Sequence, residues 1–152
     1  MFEKILVPLD HSKHSRKALD VAIQVAKRFG SKITLIHVYS VPVTPPITLG
    51  LPTAESGFPT AETISELFEA ARRAGNKILT DAKQRVKAEK VEVDEKLEEG
   101  HPVQEIVRVS KEGKFDLIVM GARGVSYIRE MLLGSVSHGV IHHAACPVLV
   151  VR

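Results

Sequence analysis

The chain has 152 residues, 44% of them hydrophobic, and this length suits a single domain, residues 1–152, with a core of its own. Its 21 basic and 18 acidic residues leave a net charge of only +3 and are scattered along the chain, which excludes the concentrated basic face of a nucleic-acid-binding protein. The single cysteine, Cys146, excludes an internal disulfide, and the absence of a long apolar stretch argues against a membrane span or signal peptide, so a cytoplasmic location is predicted.

A strand, a helix and a second strand are predicted at the start of the chain. Residues 4–9 (KILVPL) and 32–38 (KITLIHV) are short, nearly continuous apolar runs, which are typical of strands buried on both faces of a parallel sheet. Between them, apolar residues recur at helical spacing over residues 18–29. Gly30 follows where a left-handed residue is expected to end the helix.

A proline-rich segment comes next, over about residues 41–60. It holds five of the eight prolines, which excludes both a helix and a central strand. The segment is therefore a loop of roughly twenty residues, and loops of this length are usually functional or disordered. Two alternatives stay open from the sequence: a disordered or partly mobile segment, and a lid over a binding site.

The second half of the chain continues the alternation of helices and strands. A long amphipathic segment predicts a helix over residues 61–90, in which Gly75 is a weak point. Residues 91–97 (VEVDEKL) alternate apolar and polar side chains, which favours an exposed strand at the edge of the sheet. The remaining elements are predicted as a helix over 102–113, a strand over 115–120, a helix over 135–145 and a strand over 147–151.

The glycines after the fourth strand suggest a binding site. An open α/β sheet with helices on both faces binds its ligands at the carboxyl ends of the strands, where the strand order reverses. Asp10 follows the first strand and Gly121 follows the fourth, so their loops face each other if these strands are neighbours. Gly121 and Gly124 would then let the backbone approach a ligand, and Gly134 with Ser135 would open a helix whose free N–H groups attract a phosphate.

Each of these residues also has a simpler structural interpretation. The glycines can serve a turn and a helix cap alone. Asp10 can cap the helix that follows it, and Ser135 is expected to be a helix N-cap under either interpretation. Arg123 can be a turn residue that faces solvent.

Taken together, the motifs resemble the nucleotide-binding branch of the universal stress protein family. The similarity extends from KILVPLD through LIHV and MGARG to LLGSVSHGVIHHAACPVLVVR, and it includes the pattern GxxG, nine residues, then GS. The resemblance implies a Rossmann-like fold of the adenine nucleotide alpha hydrolase type, with five parallel strands in the order 3-2-1-4-5. It also implies ATP, or AMP or ADP, as the ligand, with Mg²⁺ or Mn²⁺ bridging the phosphates.

The same resemblance implies which residues contact the nucleotide. Asp10 meets the ribose or the metal-linked phosphates, Val38 contacts adenine through its main chain, and residues 134–137 donate to the phosphates. No residue is predicted to be catalytic or to ligate a metal directly. The twelve implied contacts are Pro8, Leu9, Asp10, Val38, Met120, Gly121, Arg123, Gly124, Gly134, Ser135, Val136 and Ser137.

Other reactive side chains receive structural interpretations. His138 and His142 are four residues apart on a predicted helix, a spacing that can hold a metal ion. The lack of a nearby carboxylate or cysteine argues against a metal, and His142 and His143 fall in the last helical turn, where the dipole favours a cation. The polar residues at positions 11–15 are interpreted as solvated loop and first-turn residues, and Cys146 as packing rather than a reactive thiol.

The predicted function is that of an ATP-binding regulator or stress-response factor. The chain lacks a GxxxxGK[ST] loop and the kinase motifs that phosphoryl transfer uses. Two alternatives stay open: a slow Mg²⁺- or Mn²⁺-dependent ATP hydrolase in which Asp10 orients water, and a protein-interaction scaffold that the nucleotide stabilises. The resemblance also implies a homodimer that forms through the last strand, from Pro147 to Val151, with no nucleic-acid or membrane partner.

Overall fold

The computed structural model describes residues 1–41, 59–125 and 132–152. Most of the predicted proline-rich loop lies outside these residues. Within the described ranges, no helix combines the length and the apolar character needed to cross a membrane. The elements, in chain order, are β1 (Lys4–Pro8), α1 (Lys13–Phe29), β2 (Lys32–Tyr39), α2 (Ala61–Ala88), β3 (Val93–Glu99), α3 (Pro102–Glu112), β4 (Leu117–Gly121), α4 (Ser135–His143) and β5 (Val148–Val151).

The five strands form one sheet in the order β3-β2-β1-β4-β5, and every neighbouring pair is parallel. This order confirms the predicted fold class. In the centre, Ile5 of β1 is in register with Ile33 of β2 and Leu117 of β4. β3 and β5 lie at the two edges of the sheet, so the alternating pattern of residues 91–97 is correctly interpreted as an edge strand.

Two apolar layers cover the two faces of the sheet. Successive residues of a strand point to opposite faces, and the side chains of β1 show this alternation. Ile5 and Val7 pack in the same cluster as α1 and α2, whereas Leu6 packs in the cluster with α3 and α4. All three side chains are fully buried, and each such burial contributes about 1.5 to 3 kcal/mol.

Local hydrogen bonds determine where α1 begins and ends. The Ser12 side chain accepts a hydrogen bond from the N–H of Ser15, so Ser12 is the N-cap. At the other end Gly30 has φ of 70° and its N–H donates to the carbonyl of Ala26 at 2.8 Å. The predicted left-handed glycine at the helix end is confirmed.

Gly75 marks a close approach between α2 and the sheet. It is buried, and an added Cβ would lie 2.6 Å from Cδ2 of His37 and 2.7 Å from Cδ1 of Leu97. The His37 ring cannot move away freely because its Nδ1 is hydrogen-bonded to the carbonyl of Leu9 at 2.8 Å. Packing therefore explains a glycine that costs an isolated helix about 1 kcal/mol relative to alanine.

We expect Gly75→Ala to lower the free energy of unfolding by about 1 to 3 kcal/mol, because overpacking outweighs the gain in helix propensity. Urea unfolding followed by circular dichroism measures this change. Asn76→Ala, at an exposed position of the same helix, is the matched control and should stay within about 0.5 kcal/mol of wild type. Equal stability of the two variants would contradict the packing role of Gly75.

Candidate functional site

A cavity of about 390 Å³ lies at the carboxyl ends of β1, β2 and β4. The chain leaves β1 toward α1 on one face of the sheet and leaves β4 toward α4 on the other, so a crevice opens between the two loops. All of the residues predicted to contact a nucleotide line this cavity. They are Pro8, Leu9, Asp10, Val38, Met120, Gly121, Arg123, Gly124, Gly134, Ser135, Val136 and Ser137.

Hydrogen bonds within the turn after β1 orient the carboxylate of Asp10. Its Oδ1 accepts from the N–H of Ser12 at 2.8 Å, and its main-chain carbonyl accepts from the hydroxyl of Ser15 at 2.8 Å. The alternative prediction that Asp10 caps α1 is therefore wrong, because Ser12 occupies the cap position. Asp10 Oδ2 is directed toward Gly124, where an added Cβ would lie 2.9 Å from this oxygen.

The end of β1 is also tied to β2 by two hydrogen bonds. The N–H of Leu9 donates to the carbonyl of Ile36 at 2.8 Å, and the carbonyl of Leu9 accepts from Nδ1 of His37 at 2.8 Å in the tautomer protonated there. His37 lines the cavity as well. His37 is not among the predicted contacts, because a histidine inside an apolar strand shows no sequence pattern that separates it from a core residue.

The two glycines after β4 make different contacts. An added Cβ on Gly121 would lie 2.7 Å from the main-chain carbonyl carbon of His14 and 2.8 Å from the main-chain nitrogen of Ser15. The start of α1 therefore requires a glycine at position 121. The prediction gave a different reason for this glycine, the close approach of a ligand, and did not include the contact with α1. At Gly124, the Asp10 carboxylate is the only neighbour among the described residues that such a Cβ would meet within 4 Å.

The start of α4 is connected to the loop after β4 through the carbonyl of Ala122. This oxygen accepts from the N–H of Gly134 at 2.7 Å and from the hydroxyl of Ser137 at 2.7 Å. Because the Gly134 N–H is engaged in this way, the prediction that it donates to a phosphate does not agree with the structure. The N-cap is Gly134, so the expectation that Ser135 is the cap is wrong.

Three main-chain donors remain at this helix end. The first intrahelical bond of α4 runs from the N–H of His138 to the carbonyl of Gly134 at 3.0 Å. The N–H groups of residues 135–137 precede it and have no acceptor within the helix. These groups carry the positive end of the helix dipole, which favours an anion.

The lining of the cavity combines polar and apolar residues. Glycines and serines of the β4–α4 connection form part of the lining. Among the described lining residues, Arg123 is the only cationic side chain and Asp10 the only anionic one. Residues of β2, β4 and α3 add an apolar surface to the lining. The apolar residues of this surface are Ile36, Val38, Pro102, Ile106 and Met120.

The other candidate residues lie outside this cavity or play a structural part. Cys146 is half-buried against the cluster under α3 and α4, and burial, with a smaller effect of the Asp116 charge, raises the pKa of its thiol. A raised pKa disfavours the reactive thiolate, in agreement with the packing interpretation. His138 and His142 are exposed on α4, and the described residues contain no group of three or more metal-ligating side chains.

Comparison with known proteins connects this arrangement to one family. The model of the universal stress protein family matches residues 1–152. Universal stress protein YxiE of Bacillus subtilis is 38% identical over 153 residues, covering 100% of both chains. UspA of Lactobacillus plantarum superposes with a TM-score of 0.81 at 26% identity, covering 99% of this chain and 98% of that one. A universal stress protein in complex with cAMP is similar with a TM-score of 0.68 and 30% identity, over 99% and 97% of the two chains.

We expect Gly121→Ala to lower the melting temperature even without a ligand, because the new methyl group would collide with the α1 backbone. The expected loss is about 1 to 3 kcal/mol, and each kcal/mol corresponds to about 2 to 4 °C for a chain of this length. Differential scanning calorimetry measures the shift. Gly124→Ala is the matched control and should melt close to wild type, and a similar loss in both variants would contradict the distinction between the two glycines.

Proposed function

The chain belongs to the universal stress protein family, and we propose that it binds an adenine nucleotide, specifically ATP, in the cavity between the loops that follow β1 and β4. The observation that carries this proposal is the convergence of an apolar surface and an anion-binding helix end on one cavity. An adenine ring needs an apolar surface, and a phosphate chain needs donors and positive charge. This cavity offers both within about 390 Å³, a volume suited to a small ligand.

Each part of the nucleotide has a counterpart in the cavity. We assign the base to the apolar surface near Val38 and Met120, and the phosphates to the N–H groups at the start of α4 with Arg123 beside them. Asp10 lines the same cavity and would accept a hydrogen bond from the ribose. The cAMP complex of a relative at 30% identity supports an adenine nucleotide as the class of ligand.

A divalent ion at the phosphate end of the proposed site would find few protein ligands among the described residues. Asp10 is the single carboxylate among the described lining residues, which is too few for a cage made of protein ligands. Mg²⁺ and Mn²⁺ would therefore be held by phosphate oxygens and water, an arrangement that suits Mg²⁺ in nucleotide sites. Bound there, the ion would neutralise phosphate charge.

We further propose that the nucleotide acts as a regulator rather than as a substrate. A ligand that contacts both loops stabilises the arrangement in which they face each other, by about 2.7 kcal/mol when its concentration is 100 times its dissociation constant. Partner binding by that arrangement would then depend on the nucleotide. Assays of phosphate release with Mg²⁺ distinguish the alternative, because release that Asp10→Asn abolishes would identify slow hydrolysis instead.

The test of the proposed site is a calorimetric titration of the purified chain with ATP, ADP, AMP and cAMP, after mass spectrometry of any nucleotide that copurifies. We expect saturable binding of ATP that weakens progressively in Gly124→Ala and Gly124→Val. The valine variant should lose at least about tenfold in affinity, or 1.4 kcal/mol, because its side chain occupies the space beside Asp10. Unchanged affinity in both variants, with folding preserved, would contradict the site.

We also propose a homodimer that forms through β5. This strand lies at an edge of the sheet, and no strand of the described residues pairs with the side that faces away from β4, so its main-chain groups are open to pairing with another chain. Leu149 on β5 is 39% exposed and Ile141 on α4 is 41% exposed, which adds apolar area near this edge. Antiparallel pairing of β5 with its copy would cover both features.

We expect sedimentation equilibrium at micromolar concentration to give the mass of a dimer. Leu149→Lys should shift the equilibrium toward the monomer, because pairing would place two like charges near the two-fold axis. The thermal unfolding of the variant is the control for folding. A monomeric wild-type protein would contradict the proposed interface.

A further inference from the structure

We propose that His138 and His142 form a binding site for a divalent transition-metal ion on the exposed face of α4. The site would prefer Cu²⁺, Ni²⁺ or Zn²⁺, the ions that imidazole ligands suit, over Mg²⁺. It lies apart from the nucleotide cavity, whose lining residues include neither histidine. The inference therefore does not depend on the proposed function.

The geometry of the helix brings the two imidazole rings together. Residues four apart in a helix lie on the same face, one turn from each other. In α4 the ring centroids of His138 and His142 are 4.5 Å apart, and the ring planes are inclined at 62°. Two nitrogen ligands at about 2.0 to 2.1 Å from one Zn²⁺ ion must lie close together, and rings with this centroid separation are near enough to share one ion.

Both rings are available for ligation, unlike the third histidine nearby. His138 and His142 are both exposed, and within the described parts of the chain neither ring forms a hydrogen bond. His143 differs, because its Nδ1 is hydrogen-bonded to the carbonyl of Gly139 at 2.8 Å. The chain thus offers a neighbouring histidine of the same helix as an internal control.

The electrostatics of α4 favour a cation at one of the two ligands, His142. The helix runs from Ser135 to His143, so His142 lies in its last turn, where the carbonyl groups carry the negative end of the helix dipole. In the sequence analysis, the missing third ligand argued against a metal. The contact between the rings favours a metal site nonetheless, because two imidazoles and several waters are enough ligands for an open site that exchanges its ion.

The test is a titration of the untagged chain with NiCl₂ and ZnCl₂, followed by calorimetry in a buffer that does not chelate metals. We expect one saturable site per chain, with an affinity that falls at least about tenfold in His138→Ala and in His142→Gln. His143→Ala should bind like wild type, and MgCl₂ should give no heat. Circular dichroism of each variant checks that α4 remains folded.

Two outcomes would overturn the proposal. The first is the absence of saturable Ni²⁺ or Zn²⁺ binding by the wild-type chain. The second is an equal loss of affinity in His143→Ala and His142→Gln, which would indicate nonspecific binding by surface histidines. Electron paramagnetic resonance with Cu²⁺ gives an independent readout, because two equatorial nitrogen ligands in wild type should become one in either single variant of the pair.

Discussion

The carbonyl group of Ala122 is the connection on which the candidate site depends. It accepts hydrogen bonds from the N–H of Gly134 and the hydroxyl of Ser137, both at 2.7 Å, while the N–H of Ala122 donates to the carbonyl of Val151 at 2.7 Å. One residue, 1% exposed, thereby joins the end of β4 to β5 and to the start of α4. Leaving a buried polar group unpaired costs about 1 to 3 kcal/mol, so these bonds hold the start of α4, whose first N–H groups have no acceptor within the helix, at the edge of the cavity.

At the end of β1, on the other side of the cavity, hydrogen bonds that involve main-chain groups also hold the loop in place. The turn after β1 is held by the contacts among Asp10, Ser12 and Ser15, and the end of β1 is anchored to His37. The two sides approach each other where the Asp10 carboxylate is directed toward Gly124. Most of these bonds involve main-chain groups, so they restrict the loops that form the crevice. Preorganisation of this kind lowers the entropic cost of binding.

The prediction from the sequence was most successful where periodicity or resemblance to the family supplied the information. The parallel sheet, its strand order and the left-handed Gly30 agree with the structure, and the residues implied by the resemblance meet at one cavity. The predicted cap of α4 was wrong, and the predicted reason for the glycine at position 121 was incomplete. Both features depend on neighbours that are distant in the sequence. The single domain and the cytoplasmic location stay predictions, as does the part played by the proline-rich segment.

The sequence by itself determined the alternation of strands and helices, because side-chain periodicity records which faces of each element are apolar. It also determined the family, through motifs that extend over the whole chain. Only the tertiary structure decided why individual small residues are where they are. Gly75 accommodates the ring of His37, and Gly121 accommodates the backbone of α1. Such contacts join segments far apart in the chain, and a sequence pattern records a residue's own local preference but not the atoms that folding places against it.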